Sequence, residues 1–178
     1  MSSKRMKQQS FFPPSRRDHG GSVHTGKRKE ARPLDPRSPL HLVLRSSRAR
    51  GKWSFLQPHH KRRIEHLLRE EARKSGVVIY RLANVGNHLH LLLKARNRLA
   101  FQRFLRTASG RIAVLVTGAR KGNPVGRFWD QLAYSRIVTW GRELQELQKY
   151  LIKNLFEAAG LWDRKKDPGR KFHHFSSA

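Results

Sequence analysis

The segment that decides the fold is VVIYRLANVGNHLHLLLKA, residues 77–95. It consists of two runs of strand-forming residues separated by Gly86-Asn87, a dipeptide of the kind that joins hairpin strands. In the second run His88 and His90 alternate with leucine, and the side chains of a strand point alternately to its two faces. The sequence therefore predicts a β-hairpin that carries two imidazoles side by side on one face.

The segments on either side of the hairpin also show strand and helix patterns. Upstream, PLHLVLRS (residues 39–46) has strand character, and an apolar repeat at helical spacing then stops at Gly76. Downstream come a second amphipathic helix, the strand-like run GRFWDQLAYSRIV, and a third helix that ends near Gly160. The three apolar stripes are Ile64, Leu67, Leu68 and Ala72; Phe101, Phe104, Leu105, Ala108, Ile112 and Leu115; and Leu144, Leu147, Leu151, Leu155 and Ala158.

This order, β-α-β-β-α-β-α, is typical of an α+β protein. It predicts a ferredoxin-like antiparallel sheet with helices packed on one face. The 178 residues fit one compact domain, which we place at residues 39–163. Residues 1–38 and 164–178 combine proline, glycine, serine and basic residues with almost no apolar periodicity. Such segments cannot repay their ordering entropy, so we expect a basic disordered arm and a basic tail.

Charge and composition indicate which class of molecule the protein binds. Lys and Arg number 39 against 12 Asp and Glu, which gives a net charge of +27. Such an excess predicts a polyanionic partner, and we expect nucleic acid. A membrane surface would require a basic amphipathic anchor or an apolar span of about 18 residues, and the sequence shows neither. The absence of cysteine excludes disulfides, and no signal-peptide region is apparent, so we expect a cytoplasmic protein.

The histidine pair is a candidate metal site. Two neighbouring imidazoles can present nitrogen ligands to one divalent ion while leaving positions open for water or phosphate oxygens. The alternative is that His88 and His90 occupy a solvated sheet face and bind nothing.

The third helix adds the groups that a reaction would need. Tyr150 and Asn154 are four residues apart, so they stack on one side of the helix, at the margin of its apolar stripe. Either residue could be there for packing alone. Together with the histidines, however, an amide oxygen and a phenol complete a set of metal ligands and a nucleophile suited to attack on a phosphodiester.

These motifs resemble those of the HUH single-tyrosine transposases. VGNHLHLLL is similar to their His-hydrophobe-His signature, and YLIKN is similar to their nucleophile helix. HLVLR and RFWDQLAYSRIV match more weakly and fall in the right order, so the resemblance covers roughly Pro39 to Trp162 and is closest to the REP-associated branch. Val85-Gly86 departs from the usual Met-Pro, and Leu155 from the usual proline after the amide residue.

The resemblance implies a catalytic scheme. His88, His90 and Asn154 would ligate a divalent metal, which we expect to be Mg²⁺ or Mn²⁺, and Tyr150 would form a 5′-phosphotyrosine. Arg45 would lie near the DNA. The implied partner is hairpin-containing single-stranded DNA in a prokaryotic cytoplasm, at the nucleoid, and the implied enzyme is a monomer or homodimer that nicks and joins strands as a transposase or domesticated transposase.

Basic residues around the predicted site suit phosphate contacts. We expect Lys94, Arg96, Arg127 and Arg136, with Arg45, to bind nucleic acid, although individual arginines and lysines are commonly solvated surface. Two alternatives stay open: a protein of the same fold that binds structured DNA or RNA without cleaving it, and a small basic protein of a ribonucleoprotein particle.

Overall fold

The computed structural model describes residues 17–21 and 30–161. These residues form a five-stranded antiparallel sheet of order β1-β5-β2-β4-β3, with three long helices. In chain order the elements are β1 (Asp18–His19), β2 (Leu40–Arg45), a short 3-10 helix (Gly51–Trp53), α1 (Pro58–Ser75), β3 (Val77–Asn84), β4 (His88–Ala95), α2 (Arg98–Thr117), β5 (Tyr134–Ile137) and α3 (Arg142–Ala158).

Local sequence signals account for the hairpin and the helix ends. Gly86 adopts a positive φ of 94° in the turn between β3 and β4, a conformation that favours glycine. α1 begins at Pro58 and is closed by Gly76, whose φ is 71°. α2 begins after Asn97, whose side-chain oxygen accepts a hydrogen bond from the Ala100 N–H at 2.8 Å. The predicted hairpin and the predicted stop at Gly76 are both confirmed.

One face of the sheet carries the main hydrophobic core, and we call it the core face. α1 and α2 pack on it, against leucines that alternate along the two central strands. The largest fully buried side chains include Phe55, Phe101, Phe104, Leu40, Leu42, Leu89, Leu91 and Leu93. The predicted α+β, ferredoxin-like class with an antiparallel sheet is therefore confirmed, and these two helices share one face as expected.

α3 lies on the opposite face, which we call the α3 face. Leu147 and Leu151 of this helix pack against Ala83, Leu92 and Val138. The helices lie on two faces because successive side chains of β4 point to opposite sides of the sheet. Leu91 and Leu93 point to the core face, and Leu92 between them points to α3. A central strand buried on both sides reads as a nearly continuous aliphatic run, as the end of HLHLLLKA does.

The fifth strand is shorter than the sequence pattern predicts. Only Tyr134–Ile137 of GRFWDQLAYSRIV pairs in the sheet. The preceding segment is held instead by buried aromatic rings and isolated hydrogen bonds. The Phe128 ring is buried in the core, and the Phe128 backbone carbonyl accepts a hydrogen bond from the Ser46 hydroxyl at 2.6 Å. The Trp129 indole N–H donates to the Ser109 carbonyl at 3.1 Å. Aromatic burial, not strand pairing, accounts for the apolar residues there.

A short edge strand lies within the segment predicted as a disordered arm. β1 pairs with β5, with Asp18 opposite Arg136. Two residues are too few for any periodic pattern, so the sequence does not predict this strand. Residues 1–16 and 22–29 of the predicted arm lie outside the described residues, as do residues 162–178, which include the predicted tail. None of the helices in the described part of the chain has the length and apolar character needed to cross a membrane.

Candidate active site

A cluster of three imidazoles lies at the centre of the α3 face. β4 supplies His88 and His90, whose ring centroids are 4.7 Å apart. β2, which pairs with β4, supplies His41, and its Nε2 lies 3.1 Å from Nδ1 of His90. The His41 and His90 rings lie edge to edge, with centroids 5.4 Å apart and planes 11° from parallel. The predicted pair is thus part of a larger group.

α3 brings Tyr150 to this cluster. The helix is anchored by Leu147 and Leu151, and Tyr150 lies at the margin of that apolar contact. Its ring meets the ring of His90 edge to face, with centroids 5.9 Å apart and an interplanar angle of 86°. Tertiary packing therefore places the phenol and the histidine pair, which come from separate parts of the chain, in one site.

Burial keeps the imidazoles neutral. Burial and the nearby Arg45 guanidinium lower the pKa of His88 to about 4, and burial with a contribution from Arg136 lowers the pKa of His41 to about 4. Burial and the two neighbouring imidazoles hold the pKa of His90 well below its ordinary value. Neutral imidazole is the form that binds a metal, so at neutral pH each ring has one nitrogen lone pair available.

The hydrogen bonds of the pair leave suitable nitrogens for a metal. Nδ1 of His88 lies 2.6 Å from the amide oxygen of Asn87. Because that oxygen only accepts, Nδ1 carries the proton and Nε2 has the lone pair. Nε2 of His90 is buried and has no hydrogen-bond partner among the described residues. A buried polar atom without a partner is costly, and a metal bound at that nitrogen would satisfy it.

The third predicted ligand, Asn154, lies one helical turn beyond Tyr150 and is half-buried. In the described part of the chain, no hydrogen bond joins its amide to either imidazole, and no group of three His, Cys, Asp or Glu side chains is arranged to hold a metal. The structure thus brings His88, His90 and Tyr150 together, with Asn154 on the same helix as the tyrosine.

Comparison with known proteins identifies the family. The model of the IS200-like transposases matches residues 37–154, more than half of the chain. The chain belongs to this family. Its transposase assignment rests on that match, and the matched residues include both strands of the site and α3 as far as Asn154.

A solved structure shares the fold of this IS200-like transposase. A REP-associated tyrosine transposase bound to a REP hairpin superposes with a TM-score of 0.58 at 12% sequence identity, over 76% of each chain. A Deinococcus radiodurans R1 protein assigned as a transposase gives a TM-score of 0.44 at 19% identity, over 72% of this chain and 98% of the other. None of the curated proteins compared with the chain matches it.

Arg45, one of the residues predicted to bind nucleic acid, lies beside His88. It stands opposite His88 in the pairing of β2 with β4, and its side chain is 55% exposed. Its Nε lies 3.7 Å from the Asp130 carboxylate, which also accepts hydrogen bonds from Ser47. Arg127 donates to the carbonyls of Trp129 and Asp130 and so braces the same loop.

The other basic residues that are predicted to bind nucleic acid are distributed along the sheet. Arg136 stands opposite His41, in the pairing of β5 with β2, and forms an ion pair with Glu143 of α3. Lys94 lies on the same face as His90, near the C-terminal end of β4. Arg96 is exposed and follows that end of the strand. At about 3.3 Å per residue, Arg96 is more than 20 Å along the strand from His88.

Two residues of the site were not predicted from the sequence. His41 lies in HLVLR and Tyr134 in the strand-like run GRFWDQLAYSRIV, and the sequence assigns a catalytic role to neither. Tyr134 meets His41 edge to face with centroids 6.4 Å apart, and burial raises the pKa of its phenol. Period-two alternation in HLVLR was the available signal, but linking His41 to His90 required the pairing of two strands that are not neighbours in sequence.

Proposed function

We propose that this transposase is a metal-dependent enzyme that nicks and joins single-stranded DNA through a tyrosine nucleophile. The observation that carries the proposal is the contact between Tyr150 and His90, centroids 5.9 Å apart, on a face where both histidines are held neutral. A protein that only binds nucleic acid has no chemical need for a phenol against a pair of neutral imidazoles.

The residues present fit a divalent metal. His88 offers Nε2 because Asn87 occupies its Nδ1, and His90 has a buried Nε2 without a partner among the described residues. Asn154 is our proposed third ligand, since an amide oxygen on α3 is one turn from Tyr150. A bound Mg²⁺ or Mn²⁺ would supply positive charge that polarises the oxygens of a phosphodiester.

Tyr150 is proposed to carry the covalent step. Its phenolic oxygen attacks the phosphorus and the phosphorus–O3′ bond breaks, so the segment on the 3′ side of the nick stays on the tyrosine through its 5′ phosphate, as a phosphodiester. The phenol gives up a proton, and the departing 3′ oxygen gains one to become a hydroxyl. Attack by a 3′-hydroxyl on the phosphotyrosine reverses these bond changes and joins the strands.

Tyr134 is the competing phenol near the site. It touches His41 and not the predicted ligand pair directly, and burial raises its pKa, so it is held in the protonated, less nucleophilic form. We therefore propose that Tyr150 is the nucleophile and that Tyr134 is not.

We propose that the substrate is DNA containing hairpins next to single strands. The net charge of +27 favours a polyanionic partner, and the REP-associated transposase of the same fold was solved bound to a REP hairpin. Because Tyr150 contacts His90 of its own chain, one chain contains all the proposed catalytic groups, and a monomer would suffice for cleavage.

The test is the formation of a covalent adduct. Purified protein is incubated with labelled hairpin DNAs and Mn²⁺, and denaturing gels are examined for a labelled protein band. The chain has three tyrosines, which makes a complete set of variants practical. We expect adducts with the wild type, Tyr134→Phe and Tyr80→Phe, and none with Tyr150→Phe.

Binding measured on the same variants separates the alternatives. We expect Tyr150→Phe to bind the hairpin as the wild type does. Tight binding without adducts in any protein, over several hairpins and metals, would favour the non-cleaving binder. A strong preference for RNA competitors without nicking would favour a ribonucleoprotein component.

A further inference from the structure

His41 of β2 contacts His90, one member of the histidine pair on the neighbouring strand β4. Its Nε2 lies 3.1 Å from Nδ1 of His90, inside the protein, and its side chain is only 3% exposed. The two ring planes are only 11° apart and the centroids are 5.4 Å apart, which is the geometry of an in-plane hydrogen bond between the edges of the two rings. His41 thus limits both the rotation of the His90 ring and the position of its proton.

The hydrogen bond has two arrangements when both rings are neutral. Either His41 Nε2–H donates to His90 Nδ1, or His90 Nδ1–H donates to His41 Nε2. In the first arrangement the proton of His90 cannot be on Nδ1, so it is on the buried Nε2, which then has no acceptor among the described residues. In the second arrangement Nε2 presents a lone pair, which a metal can use.

We propose that His41 is a positioning residue that accepts the Nδ1–H of His90 and so directs the Nε2 lone pair of His90 toward the metal position. The inference rests on the proposed function, in which His90 is a metal ligand. It assigns to β2 a role in the site that the metal-ligand and nucleophile motifs do not contain. In metal sites generally, such a partner fixes the tautomer and orientation of the ligand imidazole.

Asn87 has the corresponding relation to His88. Its amide oxygen accepts from Nδ1 of His88 at 2.6 Å, which leaves Nε2 of that ring with its lone pair. The two imidazoles therefore have the same arrangement, each with Nδ1 occupied by a neighbour and Nε2 left for a ligand. One neighbour is adjacent in sequence and the other comes from a different strand, so the agreement is not a consequence of local sequence.

The test compares His41→Leu with His41→Gln. Leucine fills the buried space without an acceptor, whereas the glutamine amide oxygen reaches roughly the place of the imidazole Nε2 and can accept. His60→Leu is the matched control, because His60 is also buried, at 4% exposure, and its Nδ1 lies 2.9 Å from the Ser54 carbonyl, far from the α3 face. Circular dichroism of each variant shows that it is folded.

Two measurements are made on the full chain. Long-range ¹H–¹⁵N NMR spectra of ¹⁵N-histidine-labelled, metal-free protein report which nitrogen of His90 carries the proton, with His90→Gln used to assign the signals. Titration with Mn²⁺ reports the metal affinity. We expect Nδ1-protonated His90 in the wild type and in His41→Gln, a change of tautomer in His41→Leu, and Mn²⁺ binding weakened by about 10-fold or more only in His41→Leu.

The results separate the inference from the function on which it rests. Nε2-protonated His90 in the wild type, or an unchanged tautomer in His41→Leu, would overturn the role of His41. Equal weakening of Mn²⁺ binding in His60→Leu would assign the effect to general destabilisation and would also overturn it. If the wild type binds no Mn²⁺, the proposed metal site fails, and the NMR spectra still decide whether His41 sets the tautomer.

Discussion

The two faces of the sheet are formed by the same strands, but they have different compositions. On the core face, α1 and α2 cover leucines and phenylalanines that are almost entirely buried. On the α3 face, a single helix covers a small apolar cluster, and the neighbouring positions hold three histidines, two tyrosines and an arginine ion pair. Because side chains alternate along β4, Leu89 and Leu91 pack in the core on one face, whereas His88 and His90 lie in the candidate site on the other.

The difference explains why polar groups can be buried at the site without loss of the fold. Burial of imidazole costs free energy that must be offset elsewhere, and the core face offers a large apolar area for that purpose. Variants on the core face should therefore act mainly on stability, and variants on the α3 face mainly on metal binding and catalysis.

The largest effect on stability is expected from Phe104→Ala on the core face. Phe104 of α2 is fully buried, and removal of its ring leaves a cavity. We expect the free energy of unfolding to fall by about 3–5 kcal/mol, measured by urea denaturation. Tyr150→Phe is the comparison on the α3 face, where we expect little change in stability. A large loss of stability from Tyr150→Phe would contradict the division between the two faces.

The stability of the protein should fall in acid because of buried histidines on the α3 face. The pKa of His41 is about 4 in the folded protein against an ordinary value of 6.5, so between these pH values the unfolded chain binds a proton that the folded chain does not. In metal-free protein, the contribution of neutral His41 to the free energy of unfolding should therefore be fully present above about pH 6.5. This contribution should be lost as the pH falls toward 4.

Denaturation of the wild type and of His41→Leu at several pH values, in the presence of EDTA, measures this contribution. The decline between pH 6.5 and 4 should be shallower in the variant, because one of the buried imidazoles is gone. Parallel curves for the two proteins would show that His41 does not titrate as the structure indicates.

His88→Ala should weaken metal binding more than it weakens the fold. The side chain is half-buried and lies outside both hydrophobic clusters, so its loss leaves the packing on either face nearly intact. We expect Mn²⁺ affinity to fall by about 10-fold or more, with parallel loss of metal-dependent cleavage. Unchanged Mn²⁺ binding, measured by calorimetry, would remove His88 from the proposed ligand set.

The smallest expected effect is that of Arg45→Ala on DNA binding. Arg45 is exposed beside His88, whereas Arg63 is exposed on α1, on the other side of the sheet. If Arg45 contacts a phosphate, its loss should reduce the slope of log affinity against log salt by about one, uniformly across DNA sequences. Arg63→Ala should leave the slope unchanged, and an equal effect of both variants would indicate nonspecific charge alone.

The sequence predicts much of this fold because several elements have local signals. The hairpin follows from Gly86 and the alternation around it, and the limits of α1 follow from Pro58 and Gly76. β1 has too few residues to show a period. The short β5 was overestimated because aromatic side chains that are buried from a loop, such as Phe128, resemble strand residues in sequence.

The site was only partly predictable for a different reason. His88 and His90 are alternate residues of one strand, and Tyr150 and Asn154 are one helical turn apart, so each pair follows from local geometry. The contact of His90 with His41, and that of His90 with Tyr150, depend on strand register and helix packing. No periodicity in one segment encodes such contacts.

The most direct measurement of the central claim is mass spectrometry of the covalent adduct. Protein is reacted with hairpin DNA and Mn²⁺, trimmed with nuclease, digested with protease and sequenced for a residue that retains a 5′-linked nucleotide. We predict the modification on Tyr150 in the α3 peptide. A modification on Tyr134 or Tyr80, or on any residue other than tyrosine, would contradict the proposed mechanism.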